Sequence, residues 1–167
     1  VDDLEAARVA LGYDRIDLLS QSAGTRTAMI YAWRYPQSIK RSVMILNGLG
    51  GQALSQQHAL NSAALMNVAQ PEYLATLVVS FPKGEARLRG NFPSWEPLSV
   101  LGLMQEMELF LSELELKRTI FRSDHASNWL ILKGTLGADK LRLLQELRAA
   151  IAAPEAAPLR PAWARGL

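Results

Sequence analysis

The sequence predicts an α/β domain in which consecutive βα units form a mostly parallel sheet of about four strands, as a partial barrel or an open sheet. Short strand-like apolar segments alternate with helix-like segments four times along the chain, an order typical of parallel sheets. Polar and Gly-rich residues follow these strands, at the edge where α/β proteins bind ligands. The 167 residues are 49% hydrophobic, which suffices for the core of one domain.

The first half of the chain contains two predicted helices and two predicted strands. Acidic residues at the start favour the first helix, and a proline ends the second. The elements are a helix over Val1–Leu11, a strand over Arg15–Ser20, a helix after Gly24 through about Tyr35, and a strand over Arg41–Leu46. Because Val rather than Met comes first and the helix begins at once, we expect a fragment or a processed chain.

The alternation continues in the second half. The predicted elements are a helix over Ala53–Ala69, a strand over Leu74–Val79, a loop over Ser80–Pro97, a helix over Leu98–Leu116, a strand over Lys117–Arg122, and a last helix that Asp139 caps. The helix over Leu98–Leu116 has apolar residues at three-and-four spacing, and Glu106 is predicted to lie off that apolar face. We expect one domain over residues 1–152. The tail, residues 153–167, is rich in Pro and Ala and is expected to be poorly ordered.

Composition excludes several classes of site and partner. The chain has no cysteine, which removes disulfides, zinc thiolate sites and Cys-ligated iron–sulfur clusters. The net charge is +2 and the basic residues are scattered, so no nucleic-acid surface is predicted. No apolar run is long enough to span a bilayer. We therefore expect a cytoplasmic protein without a membrane partner.

The segment Ser20-Gln21-Ser22-Ala23-Gly24 lies between a predicted strand and a predicted helix, which is the context of a nucleophile elbow. Residues 1–45 resemble the α/β-hydrolases, notably their peptidase-like branch. The resemblance implies that Ser22 is the nucleophile and that the Ala23 N–H lies in the oxyanion hole. Of the two histidines, His58 comes too early in the chain to serve as the base, whereas His125 is better placed; the acid is not identified.

The sequence from residue 46 onward differs from that of residues 1–45. It contains the turns NGLGG (Asn47–Gly51) and SDHASN (Ser123–Asn128). Residues 46–152 resemble the C-terminal half of radical S-adenosylmethionine proteins, which implies a half barrel whose strand ends help to bind the cosubstrate. The family's cluster needs three thiolates, which this chain does not provide. Residual S-adenosylmethionine binding is expected to involve six residues at the carboxyl edge: Asn47, Gly48, Gly50, Gly51, Asp124 and Asn128.

Three functional hypotheses remain open at this point. The first is a catalytically incomplete hybrid of the two families. The second is a serine esterase or peptidase that uses Ser22 and His125, and the third is a non-catalytic module that binds a ligand or a partner. The open edges of the sheet predict self-association. His58 is expected to be a surface or packing residue, and Lys83 and Arg87 are expected to be solvated.

Overall fold

A computed structural model describes residues 1–18, 24–41, 43–81 and 84–165. Its helices are α1 (Asp2–Ala10), α2 (Gly24–Arg34), α3 (Gly51–Ala69), α4 (Glu85–Asn91), α5 (Val100–Glu113) and α6 (Lys140–Ala152). Its strands are β1 (Ile16–Asp17), β2 (Ile39–Arg41), β3 (Val43–Asn47), β4 (Tyr73–Val78), β5 (Ile120–Ser123) and β6 (Leu132–Thr135). Two short 3-10 helices cover Pro36–Ser38 and Ala162–Ala164.

The main sheet is open and has the order β3-β4-β5-β6. The pairs β3–β4 and β4–β5 are parallel, and β5–β6 is antiparallel. A second, two-stranded sheet pairs β1 with β2 in parallel. The predicted α/β class with a mostly parallel sheet is therefore confirmed, and the sheet is open rather than closed into a barrel.

Helices α3, α5 and α6 cover one face of the main sheet. Along β3, β4 and β5, buried residues alternate with half-exposed ones, and the buried set joins side chains of α3, α5 and α6 in one core cluster. Parallel neighbours in sequence order, connected by right-handed crossovers, place their helices on the same side. The opposite face, which we call the open face, carries half-exposed residues: Met44, Leu46, Tyr73, Ala75, Leu77, Ile120 and Arg122.

Three elements differ from the prediction, the first being β2, which the sequence did not indicate as a strand separate from β3. The loop predicted over Ser80–Pro97 contains α4, a helix of seven residues that follows Gly84. Its Glu85 and Arg89 form an exposed ion pair of 2.9 Å. The Gly and Pro residues of this segment favoured a loop, so the helix was not predicted. The strand β6 was not predicted, because four residues after an irregular loop carry little periodicity and the pattern favoured another βα unit.

Asp139 precedes α6, but its side chain does not cap that helix as predicted. It accepts a hydrogen bond from the Thr135 N–H at 2.7 Å, and so it closes the turn between β6 and α6. This backbone hydrogen bond, together with Arg142, lowers the pKa of Asp139. The carboxylate prefers the turn because Thr135 ends the edge strand and its N–H would otherwise lack a partner.

The segment after α6 contacts the rest of the domain within residues 153–165. The chain returns to the sheet edge, where the Arg160 N–H donates to the Trp129 carbonyl at 2.7 Å. Ala157 and Leu159 pack against the core cluster. Within the described residues, no helix has both the length and the apolar character needed to cross a membrane.

Candidate functional site

The carboxyl ends of β3, β4 and β5 lie at one edge of the sheet because these strands are parallel. Asn47, Val78 and Ser123 come from these three strand ends and line a cavity of about 30 Å³. Apolar side chains of α5 and α6 close it, among them Leu103, Met104 and Leu147. This volume suits one water molecule rather than an organic ligand. A larger ligand at this edge would therefore bind at its surface rather than in this cavity.

The Asn128 side chain takes the place of a neighbouring strand beside the end of β4. The β4–β5 pairing ends at Ala75–Arg122, and beyond it the Asn128 carboxamide takes over the hydrogen bonds of β4. Its Nδ2 donates to the Thr76 carbonyl at 2.8 Å, and its Oδ1 accepts from the Val78 N–H at 2.9 Å. Asn128 is 2% exposed. Its side chain is thus occupied by the backbone and holds the edge in shape.

His125 is exposed at the same edge and contacts Ser127. Its Nδ1 lies 2.9 Å from the Ser127 Oγ and accepts from the Ser127 N–H at 3.1 Å. Ser127 is 3% exposed, so a substrate has no access to its hydroxyl. In the described part of the chain, no carboxylate lies within ion-pair distance of the His125 ring. The imidazole therefore has no orienting acid of the kind that a catalytic triad needs.

Asp124 forms an ion pair with Lys133 on the open face. The Asp124 Oδ2 lies 3.0 Å from the Lys133 Nζ, and both side chains remain partly exposed. Arg122 lies directly opposite Lys133 across the β5–β6 pair, and its guanidinium is 6.0 Å from the centre of the Tyr73 ring. Opposite charges thus stand side by side at a surface that solvent and ligands can reach.

The glycines of the NGLGG turn pack tightly against neighbouring segments of the same chain. Gly48 and Gly51 have φ angles of 84° and 60°, which glycine adopts without strain. A Cβ on Gly48 would lie 2.8 Å from Leu103, and one on Gly51 would lie 2.7 Å from the Glu96 carbonyl. Gly50 is similarly close to the Leu54 carbonyl. These close approaches are to α3, α5 and the loop before α5, which therefore occupy the space beside the glycines.

Glu106 is the site residue that the sequence prediction placed wrongly. It is 3% exposed rather than off the apolar face, and its carboxylate accepts from the Gly48 N–H and the Ser55 hydroxyl, each at 2.6 Å. His58 Nδ1 lies 3.3 Å from the same carboxylate. The signal was present in the spacing, since Glu106 is three residues after Leu103 and four before Phe110, both buried.

The pair of Glu106 and His58 is enclosed by α3, α5 and the sheet. The space beside it, lined by Ile45, Thr76 and Phe110 among others, has no room for a water molecule. Among the residues that the structure describes, none hydrogen-bonds to the Thr76 hydroxyl there. The carboxylate accordingly fixes the NGLGG turn to α3 and α5, and His58 contacts it from α3.

Several predicted residues do not belong to this constellation. Ser22, Ala23 and Lys83 lie outside the described residues, and Arg87 is exposed on α4. Asn47 is buried, and its Nδ2 donates to the Leu103 carbonyl at 3.1 Å. Of the predicted ligand-binding residues, Asp124 is the one whose side chain reaches solvent at the carboxyl edge. Among the residues described, no group of three or more His, Asp or Glu side chains is arranged to hold a metal ion.

No protein-family model matches this chain, and neither curated proteins nor solved structures show significant similarity to it.

Proposed function

We propose that this chain is a catalytically incomplete α/β domain that binds a small ligand on the open face and at the carboxyl edge of its sheet. The observation that supports the proposal is the one-sided packing of β3, β4 and β5. Parallel sheets are almost always covered on both faces, whereas here the second face stays half-exposed. A one-sided parallel sheet is what half of a barrel would present, in keeping with the resemblance of residues 46–152 to radical S-adenosylmethionine proteins.

Catalysis by this chain alone is not part of the proposal. The radical reaction needs a cluster held by thiolates, and the chain has no cysteine. The hydrolase hypothesis needs an acid on His125, whereas the adjacent Asp124 is engaged by Lys133. Binding requires fewer groups than catalysis, and the open face still offers them.

The chemistry at the carboxyl edge favours an amino-acid-like ligand. The Asp124–Lys133 pair presents a carboxylate and an ammonium 3.0 Å apart, and the α-ammonium and α-carboxylate of a zwitterion complement such a pair. The apolar residues Leu46 and Leu77, adjacent in register on the open face, suit a less polar portion of the ligand. S-adenosylmethionine combines these features, and we propose it as the ligand.

Titration calorimetry with S-adenosylmethionine tests this proposal. We expect a measurable heat for the wild-type chain and a loss of affinity of about tenfold or more for Asp124→Ala, because one charged partner is removed. Glu108→Ala is the matched control, since Glu108 forms a comparable surface ion pair of 2.6 Å with Arg148. The absence of heat with the wild-type chain, or equal losses in both variants, would refute the proposal.

A further inference from the structure

Two arginines after α6 contact the loop that follows β5. The Arg160 guanidinium donates to three carbonyls of this loop, those of Asp124, His125 and Asn128, at 3.3, 2.6 and 3.1 Å. The Arg165 guanidinium donates twice to the Ser127 carbonyl, at 3.0 and 2.8 Å. Because Ser127 and Asn128 are consecutive, the two guanidiniums are held close to each other.

Both guanidiniums keep unused donors. A guanidinium has five N–H donors in a planar fork, of which Arg160 uses three and Arg165 uses two in these contacts. The Arg165 guanidinium also lies 4.0 Å from the centre of the Trp129 ring, which restricts its orientation. The remaining N–H groups are thus held in fixed positions.

No carboxylate side chain in the described part of the chain neutralises this pair of positive charges. Among the described residues, no Asp or Glu side chain forms an ion pair with Arg160 or Arg165, although both are half-buried. Burial, together with the charge of Arg160, lowers the pKa of Arg165. Guanidiniums nevertheless stay protonated in proteins, so the charge persists and an anion would relieve the repulsion.

We propose that Arg160 and Arg165 form a binding site for a phosphate-type oxyanion, either inorganic phosphate or the phosphate group of a larger ligand. Planar forks on neighbouring guanidiniums match the several acceptor oxygens of such an anion. This site goes beyond the function proposed above, because the tail forms it and it requires neither the open face nor S-adenosylmethionine.

The test is a titration of the intact chain with inorganic phosphate, with sodium chloride as the reference at constant ionic strength. Binding is followed by the NMR signals of the arginine Nε–H groups and the Trp129 indole. We expect saturable shifts at Arg160, Arg165 and Trp129. Arg165→Gln is expected to lower the association constant about tenfold or more, since it removes a charged fork.

Arg148→Gln is the control, because it makes the same change of charge on α6, where Arg148 pairs with Glu108; phosphate affinity should stay within about twofold. If Arg165→Gln does not fold, Arg165→Lys keeps the charge without the fork and should bind more weakly than the wild type. Unsaturable shifts in the wild type, equal losses in both glutamine variants, or acetate binding as tightly as phosphate would each overturn the proposal.

Discussion

At the scale of single residues, buried side chains that complete the backbone hydrogen bonding determine the shape of the carboxyl edge. Asn128 extends the partner strand of β4 by side-chain contacts, and Glu106 fixes the turn after β3 through the Gly48 N–H. Neither is free to contact a ligand. Asp124 and Lys133, by contrast, remain partly exposed, which is why the proposed ligand contacts depend on them.

Replacement of Asn128 by Ala should destabilise the domain. It removes the carboxamide contacts to the Thr76 carbonyl and the Ser123 hydroxyl, and it leaves the Val78 N–H with its contact to the Ser127 Oγ at 3.1 Å. Buried polar groups without partners cost about 1–3 kcal/mol each, so we expect a loss of about 3 kcal/mol in the free energy of unfolding. Urea denaturation measures it.

Asn61→Ala is the control for this substitution. The Asn61 Oδ1 accepts from Gln57 on the exposed surface of α3, so the free energy of unfolding should change by about 0.5 kcal/mol or less. A similar effect of the two substitutions would contradict the role assigned to Asn128.

At the scale of elements, α1 is attached to the domain by polar contacts. It contains no fully buried residue. Glu5 accepts hydrogen bonds from Arg8, from the Tyr31 hydroxyl and, at 3.2 Å, from the Ser38 hydroxyl. These contacts, led by that to Arg8, lower the pKa of Glu5 from 4.5 to about 2. Because Arg8 belongs to α1 itself, Glu5 attaches α1 through the Tyr31 and Ser38 hydroxyls, which donate to the ionised carboxylate.

The pH dependence of this contact has a defined sign. Because the folded-state pKa of Glu5 is lowered, its contribution is fully present above pH 4.5 and is lost as the pH falls towards 2. We expect Glu5→Gln to be less stable than the wild type in urea at pH 7, and the difference to shrink at pH 3.

A difference that does not change with pH would contradict the ionic role of Glu5. Glu85→Gln provides the comparison, because the Glu85–Arg89 pair is an exposed contact within one helix. Such pairs contribute little to stability, so this variant should follow the wild type at both pH values.

In the molecule as a whole, helices cover one face of the main sheet, and the opposite face stays half-exposed. Apolar side chains of β3 and β4 stay half-exposed on the open face, including Met44, Leu46 and Leu77. The described outer edge of β3 is paired with no strand in the main sheet. Exposed apolar surface and free strand edges both promote association.

Self-association is therefore predicted for this chain. Light scattering after size exclusion should report a mass above 18.4 kDa that rises with protein concentration. Leu77→Glu should lower that mass, because a charge on the open face opposes burial.

Leu141→Glu is the matched control, since Leu141 is 75% exposed on α6, away from the open face. It should associate as the wild type does. A monomeric wild type at all concentrations, or equal effects of the two substitutions, would refute association through the open face.

The order of helices and parallel strands was predictable because it follows from local patterns. Apolar spacing located α3, α5 and α6 to within a few residues of their observed bounds. The short elements α4 and β6 were missed, because fewer than eight residues carry too little periodicity. For the candidate site, the sequence identified the Asn47–Gly51 and Ser123–Asn128 turns, but not which of their side chains are buried.

The α/β class, the parallel order and the edge at which polar residues gather were predictable from the amino-acid sequence, since each follows from residue spacing along the chain. The burial of Glu106, the hydrogen bonds of Asn128 to β4 and the return of Arg160 to the β5 loop became known from the packed fold. These contacts join residues between 32 and 58 positions apart. Contacts between residues so far apart in the sequence arise from tertiary packing, and the local sequence pattern does not predict them.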